Sequence, residues 1–170
     1  MQSWMIVFRL LHILAGVLWV GGLVLMSAFI MPALSSSGAA GGQVMQNLVQ
    51  GTKLTKYLPA MGGIAVLAGF ALFYLNMSVA PTWASSRSGM TYSIGGLCGL
   101  VALVVGSIMT ARSAGTIGKM GAAIAASGAP PTAEQTARIA VLRARMKTGA
   151  QIAMTLALVA VIAMAVARYV

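Results

Sequence analysis

A chain of 170 residues that is 59% hydrophobic and 7% charged, with a mean hydropathy of +0.93, cannot dress itself as a water-soluble domain, where about 25% of residues are charged. The composition therefore excludes an ordinary soluble enzyme and implies a single integral membrane domain over residues 1–170. The net charge of +10 comes from eleven lysines and arginines against one acid, Glu134. These bases lie mostly outside the apolar runs and accompany no nucleic-acid-binding motif, so they read as orientation signals and contacts for anionic lipid headgroups, with no nucleic acid as partner.

The first apolar run covers about residues 5–31 and is expected to stop at Pro32. It is too long for the 7–15-residue core of a signal peptide, so it reads as a true span. Within it lies His12, the only histidine. On a helix His12 shares a face with Met5, Phe8, Gly16, Trp19, Leu23 and Met26. A glycine one turn from an imidazole, followed by a large aromatic, is a shape that admits a flat ligand. Haem iron takes histidine as an axial ligand, so His12, Gly16 and Trp19 form a candidate haem b face with His12 on the iron. The alternative is a neutral His12 that hydrogen-bonds a carbonyl or polar side chain near the membrane surface.

A small, polar connection, "LSSSGAAGGQVMQNLVQGTKLTK", leads to a second span at about residues 57–77, which carries Gly62, Ala65 and Gly69. A short turn with Pro81 and an interfacial candidate in Trp83 precedes the third span, about 92–110. Here Gly95, Gly99, Ala102 and Gly106 make a stripe of small residues, the main packing signal between helices in lipid. Cys98 is alone and reads as a small core residue.

The connection from about 111 to 147 keeps helical spacing on both sides of a breaker, "SGAPPT". Gly128 can end one helix; Thr132 and Gln135 make a capping box for the next, and Glu134 favours its N-terminus. The third and fourth spans are thus expected to continue as a helical hairpin, protruding about 20 Å or more beyond the hydrocarbon. The fourth span, about 148–167, offers Ala150, Ala153, Ala157 and Ala160 as a stripe to face the third. The expected fold is all-α, an integral membrane four-helix bundle with a long cytoplasmic extension of its last hairpin.

Charge orients it. Lys53, Lys56, Arg112, Lys119, Arg138, Arg143, Arg145 and Lys147 flank the first and third connections, whereas only Arg9, Arg87 and Arg168 mark the other side. The positive-inside rule places the long connections in the cytoplasm and both termini outside the inner membrane. The thirteen methionines are scattered, without the repeated Met-x-x-Met cluster that would suit copper(I), and read as gap-fillers.

The stretch "LLHILAGVLWVGGLVLMSAFIMPAL" resembles the first helix of CopD-like membrane proteins, through His12, Gly16, Trp19, Gly21, Gly22 and Pro32. It is also similar to the first helix of HemJ-type haem-pathway oxidases and of the cytochrome-linked urate oxidase membrane domain. "GAPPTAEQTARIAVLRARMK" and "AMAVARYV" resemble segments of small four-helix members of the CopD-like group. The HemJ likeness implies haem b at His12; the CopD likeness implies copper import. The chain lacks the Asn-Glu-Pro signature of the former and the further histidines of the latter.

Few polar groups fall within the spans, so neither transport nor proton-transfer catalysis is favoured. The expectation is a non-catalytic accessory or stabilising subunit of a larger membrane complex, in an electron-transfer setting, that packs against other membrane subunits or itself. The alternative is a haem-binding redox or haem-handling protein using His12; copper or small-solute transport ranks third.

Overall fold

In a computed structural model that describes residues 2–170, all regular structure is helical. Helix α1, Gln2–Val24, runs through a π-helical turn, Leu25–Ile30, into α2, Met31–Ser36. The rod does not end at Pro32. Within the π turn the hydrogen bonds reach one residue further back, and the Met31 N–H bonds to the Met26 carbonyl. Pro32, which has no N–H to give, sits where this wider register relaxes, so the helix crosses it at little cost.

The polar connection that follows is also helical. Helix α3, Gly38–Gln46, folds back on α2, with Gly41 buried against the Leu34 carbonyl. A second π turn, Asn47–Gly51, leads to Thr52, whose hydroxyl donates to the Leu48 carbonyl. Helix α4, Leu54–Val79, then returns antiparallel to α1. A tight 3₁₀ turn at Pro81–Ser85 joins it to α5, Arg87–Val105, whose first turn is capped where the Gly89 N–H donates to Ser86 Oγ at 3.1 Å.

A third π turn, Gly106–Ala111, carries α5 into α6, Arg112–Ser127, so that the chain stays helical over 41 residues. Gly128 ends α6 with φ of 64°, a left-handed conformation that glycine adopts without a Cβ penalty. Thr132 opens α7, Ala133–Val166, with both bonds of the capping box: Thr132 Oγ1 accepts from the Gln135 N–H at 3.2 Å, and Gln135 Oε1 accepts from the Thr132 N–H at 2.9 Å.

The four long helices lie side by side as two antiparallel pairs, α1 with α4 and α5 with α7, joined through α4–α5 and α1–α7 contacts. Their distribution of side chains inverts that of a soluble bundle. Ala15, Ala65, Ala102, Ala153, Ala157 and Ala160 are buried, together with Gly62, Gly95 and Gly99. Large apolar side chains point outward instead, with Leu67 71% and Val17 66% exposed. Trp19 departs from this pattern: it is buried at the centre, against Ala102 and Ala157, where the two pairs meet. Each of the four is long and apolar enough to cross a membrane. Small residues inside and large ones outside is the packing that lipid, not water, rewards.

Candidate functional site

The α1–α4 seam works by inserting bulk into glycine notches. Trp19 lies over Gly62, where an added Cβ would stand 2.7 Å from the indole Cε2. One heptad away on both helices, His12 lies over Gly69, where a Cβ would stand 3.0 Å from Cε1 and 3.1 Å from Nδ1. In the opposite sense Leu58 of α4 fills the notch at Gly22 of α1. The matching seven-residue spacings keep the antiparallel helices in register across two turns.

His12 is half-buried, and its Nδ1 lies 2.7 Å from the Ala65 carbonyl oxygen. A carbonyl can only accept, so Nδ1 carries the proton and the lone pair of the neutral ring sits on Nε2. This is the arrangement by which second-shell carbonyls orient metal-ligating histidines. It equally satisfies the imidazole as an interhelical hydrogen-bond donor.

His12 and Trp19 of the candidate haem face both lie in the α1–α4 seam, seven residues apart. Trp19 is sunk into the bundle centre and His12 sits in the α4 notch. Gly16 is half-buried between them along α1, with nothing within 4 Å of where its Cβ would stand. The Trp19 indole lies over Gly62, with Leu103 of α5 against the same glycine. Among the described residues no three His, Cys, Asp or Glu side chains gather as a metal site.

The α5–α7 seam brings small residues into direct contact. A Cβ on Gly106 would stand 3.6 Å from that of Ala153, and one on Gly99 3.9 Å from that of Ala160. Gly95 meets the Ala160 carbonyl and the side chains of Ala163 and Met164. Ala102 and Ala153 are wholly buried and Ala157 is 1% exposed, whereas Ala150 is half-buried and lines a cavity toward the hairpin. One close approach lies outside the stripes named above. Gly149 is buried against Met109 and Thr110, and the Thr110 hydroxyl donates to the Met146 carbonyl at 3.5 Å. Its position one residue before Ala150 was the available signal.

The end of the bundle that holds both termini is lined with aromatic rings. Trp83 is half-buried between Phe73 of α4 and Tyr92 of α5, with ring centroids 5.3 and 5.8 Å away. Trp4 and Phe8 stack at 6.3 Å on α1, and the Arg168 guanidinium lies 5.1 Å from the Tyr169 ring centroid. At the opposite end, α6 and the first turns of α7 form the hairpin. Leu142 and Met146 are buried within it, and Lys119, Arg138, Arg143 and Arg145 are exposed. Helix α6 alone, with 16 residues, is about 24 Å long.

No family model, curated protein or solved structure matches this chain.

Proposed function

We propose that this protein is a non-catalytic integral membrane subunit that crosses the inner membrane four times and stabilises a larger membrane assembly, one that serves electron transfer. The hydrocarbon-facing part is the four apolar helices, and the aromatic end, with both termini, faces outward. The basic hairpin lies in the cytoplasm, in keeping with the excess of lysine and arginine there. The observation that carries this reading is the division of labour along α5–α7. One stretch is a closely packed seam of alanine and glycine, and its continuation is a rod-like hairpin with exposed cations on its surface. The first suits a rigid membrane anchor. The second presents charge to acidic surfaces of a partner at the membrane face.

Extraction of the protein from its native membrane in a mild detergent, followed by native electrophoresis, tests it. The expected result is a particle larger than the monomer that shrinks when Arg138 and Arg145 are both replaced by Glu. A monomer under all gentle conditions rejects the subunit reading.

A second reading, haem b bound through His12, is favoured by one specific feature: Nδ1 donates to the Ala65 carbonyl, which leaves the Nε2 lone pair for a ligand. The optical spectrum of the purified protein tests it directly. A Soret band lost in His12→Ala supports haem; no band, or one unchanged by that substitution, eliminates it.

A further inference from the structure

A cavity of about 740 Å³ opens at the hairpin end between α2, α3, α6 and α7. Its volume falls in the range of about 300–1,000 Å³ that small-molecule sites occupy. Two features of its lining differ in kind. At the mouth Arg143 and Lys147 stand one turn apart on the same side of α7, beside Gln46 and Gln151. Further in, the wall is apolar, with Met45, Val49, Ile117 and Met146. The same Met45, Val49 and Met146 also line a smaller neighbouring chamber of about 110 Å³, whose other walls include Trp19, Ala102 and Leu103. The cavity is thus apolar within and cationic at its rim, with the second chamber sharing its inner wall.

Glycines make the room. Gly38 and Gly42 of α3 both line the cavity and have nothing within 4 Å of their Cβ positions. The cationic rim has no internal counter-charge to neutralise it, because one acidic side chain, Glu134, serves the whole chain and lies more than two helical turns before Arg143. A cation pair over an apolar cavity needs a ligand with a negative head and a hydrocarbon tail.

We propose that this cavity is a binding site for one anionic phospholipid, its phosphate held by Arg143 and Lys147 and one acyl chain running inward past Met45 and Met146 toward Trp19. The inference rests on the chain being embedded in a membrane and is independent of whether it serves as a subunit. An ordered lipid here ties α3 to α7, both of which line the cavity.

Native mass spectrometry of the full chain in detergent, titrated with phosphatidylglycerol or with phosphatidylcholine of the same acyl chains, tests the site. The expected result is a one-to-one adduct with phosphatidylglycerol and roughly twentyfold weaker binding for Arg143→Ala/Lys147→Ala, from the loss of two lipid-facing cations. Gly42→Leu, which adds bulk to the cavity and leaves both charges in place, should also abolish the adduct while helical content by circular dichroism stays the same. Equal binding of the two lipids, or an adduct indifferent to Gly42→Leu, overturns the proposal in favour of loose surface lipid. Full displacement by millimolar inorganic phosphate overturns it in favour of a soluble anion. A chain that extracts without detergent instead refutes the membrane reading, and that outcome is read in the extraction step, before any lipid is added.

Discussion

The two antiparallel helix pairs solve one problem in different ways. In α5–α7 both helices contribute small residues, and the backbones approach until Gly106 meets Ala153 and Gly99 meets Ala160. In α1–α4 only one helix supplies the gap at each contact: Trp19 and His12 fill Gly62 and Gly69, and Leu58 fills Gly22. The first seam gains van der Waals contact by bringing backbones together; the second gains it by seating a bulky side chain. A seam of the first kind should fail when a side chain is enlarged. A seam of the second kind should fail when one is removed.

Deleting the indole makes the largest expected difference. Trp19 is buried at the junction of both pairs, and Trp19→Ala leaves a void there that helices fixed by other contacts close only in part. The unfolding free energy in mixed detergent micelles should fall by about 3–5 kcal/mol. Ala153→Leu comes next. This position is wholly buried opposite Gly106, so the added carbons force the α5–α7 pair apart, at a cost of about 1–3 kcal/mol. The two outcomes together sharpen the contrast. Leucine tolerated at residue 153, or alanine tolerated at residue 19, would erase the distinction between the seams.

The α5–α7 pairing is the more legible of the two from sequence, and the reason is physical. Stripes at Gly95, Gly99, Ala102 and Gly106 and at Ala150, Ala153, Ala157 and Ala160 are visible on each helix separately, because each helix carries its own half of the contact. The α1–α4 contacts are visible only on comparing two helices, since the knob is on one and the notch on the other. His12 and Trp19 share the seven-residue spacing of Gly62 and Gly69, and that match was the readable sign of their pairing. The hairpin stop and start at Gly128, Thr132 and Gln135 was legible too, because caps are local. The stretch from Met31 to Gly51 was not. Its serines and glycines look like a linker, and the π turns that let the helix pass Pro32 leave no mark in composition. The cavity beneath α3 was hidden for the same reason.

The smallest expected effect concerns His12, and it decides what the imidazole is for. Gly69→Ala places a Cβ about 3 Å from the ring, so the ring must shift by a few tenths of an ångström or lose its bond to the Ala65 carbonyl. His12→Ala removes both the bulk and the donor. Interhelical hydrogen bonds in membrane bundles contribute about 0.6–2 kcal/mol, so each single substitution should destabilise by about that much in the same micelle assay. The double variant His12→Ala/Gly69→Ala should then recover the cost of the clash, because alanine at residue 69 meets no ring. Gly16→Ala is the control on the same helix: with nothing within 4 Å of its Cβ position, it should leave stability unchanged or raise it slightly, since alanine is the better helix former. An additive double variant would mean that His12 and Gly69 do not act on each other. The ring would then hold α1 to α4 through the Ala65 bond alone, with the notch contributing nothing to where the histidine sits.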